Sequence, residues 1–438
     1  MQDPRLLCEN LTVSDGARLL FNGFDTVELL KKYGSPAYVF DEDRLRANCR
    51  VYVDAMKTYF GESALPLYAG KAASFVRMIR IAHEEGMGLD VVSAGELKTA
   101  CVAGFPLDKV YYHGNNKTDE EIADAIKAGV GQFIADSEEE LEAIDAIAAA
   151  HGVKQKILLR LTPGIDPHTF EAVATGKVDS KFGFAIETGD AERITQSALK
   201  KEHVELIGFH SHVGSQVFDS AVFFDSAAIM VRFMAMMRDK YGFTARELNL
   251  GGGYGVRYEQ TDPVIDIADN LRQVAENVKG LCEQYGLPFP AMRLEPGRSI
   301  VADAGITLYT VGSVKRIEGY KNYVSIDGGM GDDPRFALYG SRYTVVVANK
   351  MCEKADLIAD LVGRYCESGD VIAEKAAFPA SVKRGDVIAV FTTGAYNYSM
   401  ASNYNRVPRL PVVMVSREKG DYLAVRRETP DDVVRLDL

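Results

Sequence analysis

Cysteine is sparse in this chain, and what there is lies scattered. Cys8, Cys49, Cys101, Cys282, Cys352 and Cys366 include no C-x-x-C pair. Such spacing gives neither a disulfide framework nor a zinc knuckle, and it suits thiols kept reduced, so a cytoplasmic location is expected. The chain reads as having no apolar stretch of roughly 18 residues, so no membrane span or membrane partner is expected. The first ten residues carry Asp3, Arg5 and Glu9 and no apolar h-region, which argues against a secretory leader. Basic residues are in deficit, 50 Lys and Arg against 62 Asp and Glu, and no basic patch is interleaved with aromatics. Nucleic acid and anionic membrane surfaces are therefore not expected as partners. There is no low-complexity segment and no short internal repeat.

At 438 residues the chain is too long for one core and suited to two domains. Phe24 to Tyr33 reads as a helix closed by Gly34 and Pro36. Ala37 to Phe40 reads as a strand, with Asp41 placed to cap a helix running through Tyr59. From Pro66 a regular alternation begins. Strand-like runs at Leu67–Ala69, Gly88–Val92, Val110–His113, Phe133–Ala135, Ile157–Leu161, Leu206–His212, Leu248–Leu250 and Met292–Leu294 are each followed by a helical pattern or a glycine-rich turn. Ser93 with Glu96, and Ser137 with Glu140, read as capping boxes. Eight strand–helix units over roughly 240 residues predict a (β/α)8 TIM barrel, an α/β fold, over residues 41–305. A doubly wound open sheet would usually bring a G-x-G-x-x-G after its first strand, and none is there. The stretch from Pro163 to Gly183 is too long for a bare connection and reads as a functional loop. After Gly305 the runs Thr307–Val314, Tyr323–Ile326, Tyr343–Ala348, Ala355–Val362, Asp386–Phe391 and Pro411–Val415 have no barrel-type helices between them. They predict an all-β C-terminal domain over 306–438, joined by residues 1–40.

In such barrels the site is built at the C-terminal strand ends. The first strand hands over to Lys71. The others end near Asp90, His113, Arg160, His210 and His212, Gly251-Gly252-Gly253, and Glu295-Pro296-Gly297-Arg298. Lys71 could be a plain loop lysine, Asp90 a helix-start residue with Arg160 as its partner, and Glu295 half of an ion pair with Arg298. The glycine run could be only a tight turn. It also frees backbone N–H groups to meet a phosphate, with Arg298 one strand away to support it. His210-x-His212 places two rings on one face of a strand. They could hold a metal with His113 and Asp90, or one ring could stack on a flat ligand. A lysine, a phosphate cradle, a stacking imidazole and a carboxylate for a ring nitrogen together describe a pyridoxal phosphate site.

These stretches resemble the alanine-racemase-like fold type of pyridoxal phosphate enzymes, and within it the diaminopimelate decarboxylases. The matching segments are Tyr68-Ala-Gly-Lys71, Leu89-Asp-Val-Val-Ser-Ala-Gly-Glu-Leu97, His113-Gly-Asn-Asn-Lys117, Ser180-Lys-Phe-Gly183, His210-Ser-His-Val-Gly-Ser-Gln216, Leu250-Gly-Gly-Gly-Tyr254, Glu295-Pro-Gly-Arg298, Cys366-Glu-Ser-Gly-Asp370 and Gly394-Ala-Tyr-Asn-Tyr-Ser-Met-Ala-Ser-Asn403. They span nearly the whole chain in the family's order. The resemblance implies pyridoxal 5′-phosphate as cofactor and no metal. It implies that Lys71 forms the Schiff base, that His212 rather than His210 stacks on the ring, and that Glu295 partners the ring nitrogen. Asp90, Ser215, Gly251, Gly252, Gly253, Arg298 and Tyr396 match cofactor or pocket positions. Arg298, Arg335, Tyr339, Glu367 and Tyr396 match positions around the substrate. Cys366 and Glu367 match a pair given by the neighbouring subunit, so a homodimer with shared sites is expected, with the β domain contributing to the interface and the pocket. Ala73 and Phe336 depart from the usual Asn and Pro, and neither removes a group the chemistry needs. The implied reaction is decarboxylation of meso-2,6-diaminopimelate to L-lysine, with Cys366 as the expected proton donor. The nearest alternative is another basic amino-acid decarboxylase of the ornithine or arginine type. A racemase would be expected to set an arginine, not Glu295, at the ring nitrogen.

Overall fold

Strand and helix alternate through the middle of the chain until the sheet meets itself. The structure, a computed structural model, describes residues 5–165 and 180–438. Its eight parallel strands are β1 (Leu65–Ala69), β2 (Gly88–Val91), β3 (Val110–Tyr112), β4 (Gln132–Ala135), β5 (Gln155–Thr162), β6 (Val204–His210), β7 (Glu247–Asn249) and β8 (Ala291–Leu294). They pair in sequence order, and the barrel closes where Arg293 and Leu294 of β8 meet Leu65 and Pro66 of β1. All eight predicted strands are present within a few residues of the expected ends. The closed barrel excludes the doubly wound alternative. Of the expected functional loop, residues 166–179 lie outside the described residues.

Leu67, Tyr111, Ile134, Leu158 and Ile207 fill the barrel interior, as the alternation of each strand requires. The Tyr111 hydroxyl donates to Glu247 (2.7 Å) and accepts from Arg293, whose guanidinium also pairs with Glu247 at 2.8 Å. Gly208 is needed because β6 and β7 run so close together. A Cβ there would stand 1.9 Å from the Glu247 carbonyl.

The helix starts correct the capping expectation. Ser93 and Ser137 accept the Glu96 and Glu140 N–H groups, but neither glutamate reaches back to its cap. Glu96 accepts from the Val92 N–H instead, and Glu140 pairs with Lys117. Reciprocal boxes stand instead at Thr118 with Glu121 and at Thr429 with Asp432. A second correction concerns long apolar stretches. Helix Ser220–Tyr241 has 22 residues and holds an 18-residue window of mean hydropathy 1.5, enough to cross a membrane by length and composition. Isolated charges such as Asp225 and Arg232 broke the run on reading. Over half of its apolar window is buried, Val222, Phe223, Met230, Phe233, Met234 and Met237 among it, as in the core helix of a folded domain.

By contacts, Asn48–Gly255 and Val264–Gly297 form the barrel unit. Residues up to Ala47, Val256–Pro263 and Arg298–Leu438 form the second. Its main sheet runs Val371–Pro379, Ala355–Val362, Lys321–Ile326, Gly305–Ile317, Ala37–Asp41, Val412–Ser416, Gly420–Val425. Leu19, Phe21, Val39, Leu308, Phe391 and Val413 pack one core, and Tyr309, Val324, Leu361, Ile372, Phe378 and Ile388 another. Strands Val371–Pro379 and Gly420–Val425 were not expected, because charged and small residues interrupt their apolar pattern. The early helix starts at Thr26, since Asp25 caps it, and Phe24 and Asp25 pair with Phe21 and Leu20. Asp41 accepts the Arg44 N–H at the start of helix Glu42–Phe60, as its cap position predicted.

Lys117 is fully committed: its ammonium donates to the Gly114 and Ile134 carbonyls, both at 2.8 Å, and to Glu140 at 2.6 Å. Lys117→Met strands Glu140 in the core and is expected to cost about 3–5 kcal/mol, read by urea unfolding followed by circular dichroism. Lys117→Met combined with Glu140→Leu is expected to recover most of that loss.

Candidate active site

The polar residues named at the strand ends do converge. Lys71 stands just past β1, in the tight turn Gly70–Ala72. Its Nζ is 3.9 Å from Asp90 Oδ2, and Asp90 Oδ1 is 3.8 Å from His113 Nε2. His113 Nε2 in turn lies 2.8 Å from Glu295 Oε1. The other oxygen of Glu295 meets His210 Nε2 at 3.2 Å, and the Asn249 amide donates to Oε1 at 2.7 Å. Asn249 also accepts the Gly251 N–H at 2.9 Å, so one side chain fixes both the carboxylate and the start of the glycine turn. Asn249 was not singled out from the sequence, where only its place at a strand end marked it.

His212 lies beyond β6, which ends at His210, so the two rings are not side by side on one strand as expected. The Gly252 N–H donates to His212 Nδ1 at 3.3 Å, which leaves the ring proton on Nε2. Burial, with the Lys71 and Arg160 charges, holds His212 well below its ordinary value, and burial pushes His210 down to about 4. Both rings are neutral near pH 7. Arg160 does not pair with Asp90: its closest carboxylate is Asp136, 3.8 Å from Nε, and its guanidinium lies 4.2 Å from the Phe182 ring centre. Asp90 does not cap a helix, since Ser93 has that role.

Two buried carboxylates thus stand against the same His113 ring nitrogen with opposite tendencies. Burial raises Asp90, an effect only partly countered by His113 and Lys71, and both its oxygens lack a hydrogen-bond partner among the described residues. Burial also opposes ionisation of Glu295, but His113 and His210 outweigh it and hold that carboxyl well below the usual range. His113, His210 and Glu295 have ligand atoms within 4.8 Å of one another, a donor set that could take a metal ion. Asn249 donates to the same carboxylate, which reads better as an anion held by N–H donors.

The three glycines have no room for side chains. A Cβ on Gly251 would meet the Ser211 carbonyl at 2.7 Å, on Gly252 the Glu295 carbonyl at 2.1 Å, and on Gly253 the Gly214 carbonyl at 2.3 Å. Gly251 and Gly253 also have φ of 69° and 124°.

In the second unit Arg298 donates to the Tyr258 hydroxyl at 2.7 Å. The Tyr396 ring lies 4.9 Å from the guanidinium of Arg298 and 4.9 Å from that of Arg335. Tyr396 reaches this place with a left-handed backbone, φ 72°. Arg335 is buried at the start of helix Arg335–Tyr339, 5.0 Å from the Tyr339 ring, and its Nε has no partner among the described residues. Cys366 and Glu367 are exposed, and the Cys366 N–H donates to Asn405.

Residues 44–302 match the family described as pyridoxal-dependent decarboxylase, pyridoxal binding domain. The chain is 44% identical to the diaminopimelate decarboxylase of Bacillus subtilis over 96% of this chain and 95% of that one. It is 38% identical to that of Mycobacterium tuberculosis, over 99% and 98%. The chain belongs to the diaminopimelate decarboxylase family. A crystal structure of diaminopimelate decarboxylase from M. jannaschii in complex with L-lysine superposes with a TM-score of 0.90 at 32% identity, covering 98% of both chains.

Pyridoxal 5′-phosphate is the cofactor of this family, and the residues at the barrel end fit it. Asp90 offers buried oxygens without hydrogen bonds among the described residues, the glycine turn is a bare backbone with no side chain to shield its peptide groups, and a lysine, a neutral imidazole and a charged carboxylate stand near it. Gly253→Ala is expected to weaken pyridoxal phosphate binding by about tenfold or more, from titration of cofactor-free protein followed by absorbance. Gly280→Ala, where a Cβ meets nothing within 4 Å, is expected to bind as the parent does.

Proposed function

We propose that this chain decarboxylates meso-2,6-diaminopimelate to L-lysine and carbon dioxide, the last step of lysine synthesis. The observation that carries the choice of substrate is Arg335. A buried guanidinium flanked by the rings of Tyr339 and Tyr396, with no carboxylate in ion-pair range among the described residues, is suited to grip one from a ligand. Diaminopimelate keeps a distal carboxylate after the reacting one has left. Ornithine and arginine have none.

When bound, pyridoxal phosphate supplies the electron sink for the pair released as carbon dioxide departs. Lys71 supplies the amine that carries the cofactor and yields it to the substrate. His212, neutral, would pack against the ring. Glu295 keeps a proton at the ring nitrogen, where the developing negative charge is drawn. Gly253 and Ser215 present N–H and O–H groups to the phosphate; Gly251 and Gly252, whose N–H groups are held by Asn249 and His212, shape the turn that meets it, and Arg298 and Tyr396 complete the phosphate or substrate pocket. Asp90 orients Lys71. Arg335 and Tyr339 hold the distal carboxylate, and Glu367 receives the distal ammonium. Cys366 delivers a proton to the carbon that lost its carboxylate.

Cys366 and Glu367 act across a two-fold interface, in the site of a second copy, so the working form is a homodimer whose β units help build the interface and the pocket. The barrel domain spans about residues 41–305 and binds the cofactor. Six free cysteines suit a cytoplasmic enzyme.

The deciding assay incubates the protein with pyridoxal phosphate and meso-diaminopimelate and reads lysine by mass spectrometry, with ornithine and arginine in parallel. Turnover of diaminopimelate should exceed the others by orders of magnitude. Faster conversion of ornithine or arginine would replace this reading with theirs. Arg335→Leu is expected to raise KM for diaminopimelate at least about a hundredfold, because a site built for a carboxylate loses its fork.

Shared sites give a second expectation. Lys71→Ala and Cys366→Ala should each be nearly inactive. Mixed in equal amounts under mild dissociation and returned to buffer, half the dimers carry one lesion-free site, so activity should return to roughly a quarter of wild type. Background activity from dimers proven mixed by mass spectrometry would show that each chain holds a complete site.

A further inference from the structure

Burying a carboxylate normally neutralises it. Glu295 escapes through its neighbours, and the closest titratable one is His113, at 2.8 Å, rather than a lysine or arginine. The groups facing Glu295 come from most of the barrel. Asp90 of β2 opposes its charge at a distance. Arg160 of β5 and Lys71 beyond β1 lie within electrostatic reach of this cluster. His210 of β6 and Asn249 of β7 touch the carboxylate, and His212 lies beyond β6. Of these, His113 alone among the described residues lies within ion-pair distance of both acids, 2.8 Å from Glu295 and 3.8 Å from Asp90. Its ring meets His210 edge-on, centres 4.9 Å apart, so the two imidazoles brace each other against opposite oxygens of the same carboxylate.

We infer that His113 is a positioning residue for Glu295: with His210 it keeps the carboxylate charged and aimed, and so keeps the proton of the pair on the cofactor's ring nitrogen. The inference rests on the reading of Glu295 as the partner of that nitrogen. The direction follows from competition for one proton. Each N–H directed at Glu295 makes it a weaker base, so the shared proton stays on the ring. With His113 removed, Glu295 becomes the stronger base of the two, and the ring loses its proton to the acid. Lys117 supports the arrangement, because its bond to the Gly114 carbonyl fixes the turn that follows His113.

Pyridoxine 5′-phosphate tests this, since it has the same ring and phosphate but no aldehyde to react with Lys71. Ring-15N-labelled pyridoxine phosphate bound to the whole protein reports its nitrogen's protonation by NMR shift between pH 6 and 8. Wild type should show the protonated shift throughout. His113→Leu should move it toward the unprotonated value. His113→Asn, polar but too short to reach Glu295, should do the same and serves if the leucine variant does not fold. His113→Gln, which carries an N–H about where Nε2 stood, should restore the wild-type shift. In the decarboxylation assay kcat should fall about tenfold in His113→Leu or His113→Asn with KM changed less than about twofold. Glu295→Gln separates the two readings. If it leaves the shift unmoved, Glu295 is not the partner of the nitrogen. If it moves the shift while both His113→Leu and His113→Asn leave it protonated, His113 is not what holds the proton there, and the inference falls alone.

Discussion

Glu295 carries a negative charge where little water reaches it, and the upper end of the barrel is arranged around that demand. His210 and the Asn249 amide hydrogen-bond the carboxylate, and His113, just past β3, stands 2.8 Å from it, in place of the lost water. His210 is held neutral by burial, so it offers one N–H without adding a charge that would itself need solvation. Asp90, only a few ångströms away, has no such set of donors and is pushed toward its neutral form. Two carboxylates beside one imidazole are thereby divided in character by what surrounds them, not by their chemistry.

The same donors fix backbone as well as charge. Asn249 ties Glu295 to the Gly251 N–H, and the Gly252 N–H is tied to His212. The glycine turn is squeezed between the carbonyls of Ser211, Gly214 and Glu295. The carboxylate, the His212 ring and the glycine turn are therefore one hydrogen-bonded piece. Displacing any member moves the others, which is how a site is kept within the narrow tolerance that catalysis needs.

Much of this was legible in the sequence. The strand that ends at Lys71, the eight-fold alternation and the Gly-Gly-Gly turn are local signals, and local signals survive in one dimension. What escaped reading depends on partners far along the chain. Glu140 looked like a helix cap, but Lys117 claimed it. Arg160 looked like a mate for Asp90 and found Asp136. His210 and His212 looked equivalent by spacing, yet the strand stops between them and gives each ring a different partner. Asn249 looked like nothing, because an asparagine inside a short apolar run is unremarkable until the strand beside it supplies Glu295. The helix Ser220–Tyr241 hid its length behind two isolated charges.

Strand Ala37–Asp41 lies inside its sheet, fully buried, with Gly305–Ile317 on one side and Val412–Ser416 on the other. On the ribosome it is made before the barrel begins, and neither neighbour exists until the barrel is complete. The nascent chain therefore carries an apolar strand with both edges open through the synthesis of an entire domain. Such edges invite pairing with other chains. Growth of this protein in the cell is a race between translation of its last third and capture of that strand by a holdase or by a neighbour, and slow translation after Gly297 lengthens the exposure.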